Sequence, residues 1–151
     1  MALAGDHILP VLDVMADQDF RIIDTRHEQA AVHMADAWSR ITEQPGVCMY
    51  TTPGFANAIP GLTNAMHTEA PVISIAGCAD AARPGAPRPA ANRSGRYGRP
   101  MCKGSFMVND ARRIPEFIAR AMRLAFSGRR GPVHLTIPID GNPKYSLHDI
   151  P

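Results

Sequence analysis

Asp24-Thr25-Arg26-His27-Glu28-Gln29-Ala30-Ala31-Val32-His33-Met34-Ala35-Asp36-Ala37-Trp38 is the stretch on which the reading of this chain turns. It follows Arg21-Ile22-Ile23-Asp24, which reads as the end of a buried strand. It opens a helix running to about Thr42, with Ala31, Met34, Ala35, Trp38 and Ile41 at the three-four spacing of one apolar face. Glu28 falls in the first turn, where the helix dipole favours a carboxylate. Taken alone, that dipole is a sufficient reason for a glutamate here.

Outward from this stretch the same alternation repeats. Residues 8 to 18 predict a helix with Pro10 in its first turn, and Phe20 to Asp24 a strand. Val47 to Thr51 is a short, nearly all-apolar strand, as expected when both faces of a sheet are covered. Thr52-Pro53-Gly54-Phe55-Ala56-Asn57 reads as a tight loop, with Asn57 as the N-cap of a helix whose first turn contains Pro60. Val72 to Gly77 is a third buried strand, and Ser105 to Val108 a short one. Ile114 to Phe126 has Ile114, Phe117, Ile118, Ala121, Leu124 and Ala125 on one helical face, with Gly128 as its stop signal. Val133 to Ile137 is the last strand. Alternating strands and helices predict a three-layer α/β fold: a mostly parallel sheet with helices on both faces. Ligands of such sheets sit outside the carboxyl ends of the strands. Asp24 to Glu28 and Thr51 to Asn57 both lie at such ends.

Composition narrows the function classes. The chain has 151 residues, enough for one domain with one core, and a net charge of +2, which makes no case for nucleic acid. No apolar run approaches the ~18 residues of a membrane span. The N-terminus lacks the charged and apolar regions of a signal peptide. Cys48, Cys78 and Cys102 fit no metal box and read as buried thiols of a reducing compartment, so a cytoplasmic location is expected. His27, Glu28, His33 and His67 do not converge at metal-ligand spacing, so no metal ligands are assigned. Neither Gly-x-Gly-x-x-Gly, Gly-Lys-Ser/Thr nor Gly-x-Ser-x-Gly occurs, which leaves dinucleotide, P-loop and serine-hydrolase chemistry without support. Residues 79 to 100 hold no aliphatic side chain larger than alanine and read as a long mobile loop.

Several segments, in order, resemble the N-terminal pyrimidine-binding domain of thiamin-diphosphate-dependent enzymes. They are Asp24 to Ala37, Pro45-Gly46-Val47, Pro53-Gly54-Phe55-Ala56-Asn57-Ala58, Ala70 to Gly77, Arg99 to Phe106 and Gly131 to Asp140. The acetolactate synthase, benzaldehyde lyase and oxalyl-CoA decarboxylase branch is the most similar. The resemblance implies that Glu28 hydrogen-bonds the N1′ atom of the cofactor's aminopyrimidine and so promotes deprotonation of thiazolium C2. It implies that Pro53, Gly54, Phe55 and Asn57 pack near that ring. It also makes His7, in the loop Gly5-Asp6-His7, a catalytic candidate facing substrate, against the alternative of a solvated residue. The implied role is the pyrimidine side of a carbon–carbon lyase or transferase acting on 2-keto acids or acyl donors. The alternative is an inactive fragment or interaction module that keeps only the fold.

The chain departs from the family in three places. A helix and a strand normally precede the Gly5-Asp6-His7 loop, and here only Met1 to Ala4 stand there, so a central strand is expected to be missing, truncated or replaced. Residues 79 to 98 do not match the family's aromatic or glutamine-rich segment and look like an unrelated insert. Residues 1 to 140 are expected to form the domain, and 141 to 151 a linker remnant, with no Gly-Asp-Gly…Asn segment after them. The resemblance therefore implies that Mg²⁺ and the cofactor's diphosphate are held by a partner domain or subunit, in a homo- or hetero-oligomer. No turnover is expected from this chain alone.

Overall fold

The computed structural model describes residues 1–78, 96–108 and 110–138. Helix α1 spans Leu9–Asp17 and α2 Glu28–Thr42, followed by strand β1, Gly46–Thr51. Helix α3 spans Thr52–His67 and leads to β2, Val72–Cys78. Strand β3, Gly104–Met107, is followed by a short 3-10 turn, Ala111–Arg113. Helix α4, Ile114–Phe126, and β4, Val133–Pro138, complete the order. The four strands form one sheet in the order β1-β2-β4-β3, and every pairing is parallel.

Period-two alternation sends the strand side chains to two separate cores. Cys48, Tyr50, Val72 and Ala76 face α2 and α3, while Met49, Ile73, Ile75, Val133 and Leu135 face Ala121 and Ala125 of α4. Val11, Leu12 and Met15 of α1 pack on that second core. The expected three-layer α/β arrangement is therefore present. Full burial of Tyr50, Phe55 and Leu62 contributes about 2 kcal/mol each at ordinary transfer values.

Four details refine the sequence expectation. First, Met1 to Leu3 pair on both sides as a rudimentary strand, as the expected truncated first strand would. Ala2 donates to Ile23 O at 2.9 Å and accepts from Thr25 N at 2.9 Å. On its other side Leu3 donates to Met49 O, and Met49 to Met1 O, each at 3.0 Å. Second, Phe20 to Asp24 is not a strand. Only Asp24 makes a bridge, to Ala2, and Phe20 is exposed, because a neighbour this short offers no longer ladder.

Third, the apolar face of α2 is rotated. Ala31 and Ala35 are buried as expected, but their companions are Glu28, Val32, Asp36 and Ser39. Met34, Trp38 and Ile41 are 37%, 48% and 83% exposed. The cause is close approach: a Cβ on Gly46 of β1 would stand 2.0 Å from Ala35 O, so only small side chains fit between helix and strand. Fourth, no loop separates β1 from α3. The helix starts at Thr52 with Pro53 in its first turn, and Pro60 is inside it. Ala56 and Pro60 are both exposed, so the carbonyl that loses its helical donor lies on the solvent side.

Helices α2 and α3 are clamped along their length. A Cβ on Gly61 would lie 2.8 Å from Val32 Cβ. Lower down, Asp36 is 1% exposed and accepts from Arg40 Nε at 2.8 Å, Asn64 Nδ2 at 2.6 Å and Thr68 Oγ1 at 3.3 Å. A buried carboxylate so fully partnered escapes most of its desolvation cost. Helix α4 ends as expected near Gly128, which has φ +55° beyond the cap Ser127. Lys103 Nζ adds a second stop by donating to Leu124 O and Ser127 O. The three cysteines are all buried, and none forms a disulfide. No helix among the described residues is long and apolar enough to cross a membrane. Most of the expected loop, residues 79–95, and the expected linker 141–151 lie outside the described residues.

The helix–strand contact at Gly46 sets a prediction. Gly46→Ala places a methyl against the backbone of Ala35 and lowers stability by ~3 kcal/mol, read from the urea midpoint.

Candidate functional site

The carboxyl ends of β1 and β2 and the first turns of α2 and α3 share one edge of the sheet. His27 caps α2, its Nδ1 accepting from Gln29 N at 3.2 Å. This fixes the first turn and places Glu28 at the junction with α3. Glu28 is 8% exposed. Its Oε2 accepts from Asn57 Nδ2 at 3.0 Å. Its Oε1 lies against Gly54, where a Cβ would stand 2.2 Å from that oxygen. Among the described residues no donor reaches Oε1. The arrangement is a shielded carboxylate with one oxygen committed to the protein and the other available to a ligand nitrogen or proton.

The sequence-predicted residues separate here into three groups. Glu28, Gly54 and Asn57 come together. Pro53 is exposed in the first turn of α3, beside Gly54. Phe55 points the other way: it is buried, and its ring lies on that of His134 with centroids 4.2 Å apart. His7 meets the edge through its backbone, since a Cβ on Gly77 of β2 would lie 2.0 Å from His7 O. The turn that carries it is closed by Ile8 N donating to Gly5 O at 2.8 Å. The side chain of His7 has no hydrogen-bond partner among the described residues.

Two features were missed by sequence reading. Thr52 Oγ1 donates to Gly77 O at 3.0 Å and ties the start of α3 to the end of β2. Beneath Phe55 lies a run of buried polar groups: the Tyr50 hydroxyl bonds Ser74 Oγ, Ser74 Oγ meets His134 Nδ1 at 2.9 Å, and His134 Nε2 meets Thr136 Oγ1 at 3.1 Å. Its signal was available, because Ser74, His134 and Thr136 break otherwise apolar strands at positions of one parity. Burial drives His134 down to about 3 and holds the imidazole neutral. Burial likewise raises Cys48 and Cys102 to about 12 and Tyr50 well above the usual phenol range, so none of these ionises near neutrality.

An α/β domain that presents a shielded glutamate at the carboxyl edge of a parallel sheet defines a class, and comparison with known proteins places the chain within it. Residues 1–96 match the family described as "Thiamine pyrophosphate enzyme, N-terminal TPP binding domain", and the chain belongs to that family. Thiamine pyrophosphate is thiamin diphosphate, and the domain is one that binds this cofactor. The chain is 38% identical over 146 residues to 2-hydroxyacyl-CoA lyase 2 of Xenopus laevis, covering 96% of this chain and 22% of that protein. It is 36% identical over 139 residues to a probable acetolactate synthase large subunit of Methanocaldococcus jannaschii, covering 90% of this chain and 23% of that protein. Human 2-hydroxyacyl-CoA lyase 2 is 34% identical over 139 residues, 91% of this chain and 22% of its own length. The chain thus spans less than a quarter of the relatives it matches.

The state of His134 contributes to the acid stability. Its folded value lies far below the unfolded 6.5, so the folded state excludes a proton that the unfolded state binds. Its contribution is complete above the unfolded value and is lost as pH falls from there towards about 3. The denaturation midpoint should therefore drop across that window, and His134→Gln should flatten this limb.

Proposed function

We propose that this chain is the pyrimidine-side half of the active site of a thiamin-diphosphate-dependent carbon–carbon lyase or transferase acting on 2-keto acids or acyl donors. The observation that carries the reading is the Glu28 carboxylate, shielded by Gly54, bonded by Asn57 and, among the described residues, left with one oxygen without a donor. A carboxyl group in that setting suits a hydrogen bond to a ring nitrogen and can hold a proton there. The bound cofactor supplies the electron sink for the substrate carbanion. Glu28 orients the pyrimidine and holds its proton, Asn57 and Gly54 aim the carboxylate, and Pro53 forms the exposed rim beside them. Phe55 contributes from beneath the site. His7 is proposed to face substrate from the end of β2.

Mg²⁺ and the diphosphate fall in this reading to another domain or subunit, with which residues 1 to 140 form an oligomeric enzyme. The chain alone is not expected to turn over. Three buried cysteines without a disulfide suit a reducing, cytoplasmic setting. A second reading has one observation in its favour. Met34, Trp38 and Ile41 form an exposed stripe on α2, as expected of an interaction module that keeps the fold without the chemistry.

Glu28→Gln separates the two. In an assembled enzyme it should slow cofactor C2 proton exchange by ~100-fold or more, while the melting temperature of the chain moves by only ~3 °C. Exchange at the wild-type rate would refute the assignment of Glu28.

A further inference from the structure

The polar run beneath α3 has no evident purpose as core packing. Buried polar groups are tolerated only when fully partnered, and an apolar set of equal volume is commonly as stable or more so. Yet three adjacent strands supply it in register. Ser74 of β2 pairs with His134 of β4, and Tyr50 of β1 and Thr136 of β4 both pair with Ala76, two residues nearer the carboxyl edge. The four side chains are fully buried on the α2–α3 side. Both ring nitrogens of His134 are committed, Nδ1 to Ser74 and Nε2 to Thr136, so the imidazole is held in one orientation.

On that fixed ring sits Phe55, tilted by 41°. Phe55 lies between Gly54, which abuts Glu28 Oε1, and Asn57, which donates to Glu28 Oε2. A shift of this turn by a few tenths of an ångström changes both contacts, since Gly54 is already too close to Glu28 for a Cβ.

We propose that His134 is a positioning residue for Glu28: clamped by Ser74 and Thr136, it seats Phe55, and Phe55 sets the first turn of α3 against the Glu28 carboxylate. The importance of this device rests on the reading of Glu28 given above. Its geometry is independent of that reading and is tested without cofactor.

The test is nuclear magnetic resonance on the labelled full chain, following the Glu28 carboxyl carbon, the Asn57 carboxamide and amide exchange along α3. Ser74→Ala removes the partner of Nδ1, and Phe55→Leu removes the ring on His134. Each should displace the Glu28 and Asn57 signals and speed exchange in the first turn of α3 by ~10-fold relative to its last turn. Leu135→Ala is the control. Leu135 is buried on the opposite face of β4, so its loss destabilises the fold and should leave those signals in place. Unchanged signals in both Ser74→Ala and Phe55→Leu, or equal displacement in Leu135→Ala, would overturn the proposal. Because no cofactor is present, that failure would leave the chemical role of Glu28 untouched, and normal C2 exchange in Glu28→Gln would leave the positioning geometry untouched.

Discussion

Everything in this domain depends on how closely α2 approaches its neighbours. Three glycines permit it: Gly46 beneath Ala35, Gly61 against Val32, and Gly54 against the Glu28 carboxylate. Each contact is too short for a Cβ, so helix α2 is pressed on β1 on one side and α3 on another. The buried face of α2 then has room only for alanine, valine, serine and two acids. One acid, Asp36, is neutralised by Arg40 and hydrogen-bonded by Asn64 and Thr68. The other, Glu28, has a single donor among the described residues. An acid partnered on every side is structural, whereas an acid left one oxygen short is suited to chemistry.

The same constraint explains the surface. Because the tight face excludes bulk, Met34, Trp38 and Ile41 are carried to the outside of α2. The relatives of this chain cited above are roughly four times its length. On the other side of the sheet the packing is conventional. Helix α4 lies over β4 through Ala121 and Ala125, and Arg120 stacks over Phe106 at 4.3 Å on the edge strand β3.

Legibility in the sequence followed the type of physical signal. The element order from α2 onward, the helix at Ile114–Phe126 and the placement of Glu28 at the carboxyl edge of the sheet were readable, because they rest on local periodicity and on the topology of parallel sheets, although Phe20 to Asp24 forms no strand. The facing of α2 was not. Trp38 and Ile41 have the spacing of a buried face, and only the approach of Gly46 to the Ala35 backbone decides otherwise. Pro53 and Gly54 read as a tight loop and Pro60 as a first-turn proline, but Pro53 holds the first turn, Pro60 lies inside the helix, and Gly54 serves the contact with Glu28 rather than a turn. The two-sided pairing of Ala2 could not be inferred from three residues, which are too few to show a period. The role proposed for Glu28 comes from the resemblance to thiamin-diphosphate enzymes, whereas its position alone reads as that of a helix-dipole residue.

Titration of thiamin diphosphate and Mg²⁺ into the isotope-labelled chain, followed by amide chemical shifts, tests most directly whether the polypeptide is one half of a cofactor site built around Glu28. Shifts confined to Glu28 and the Gly54–Asn57 turn are expected, with half-saturation no tighter than about 1 mM, because in the proposed reading the metal-bound diphosphate is held by another domain or subunit. Micromolar saturation, or shifts centred away from Glu28, would contradict it.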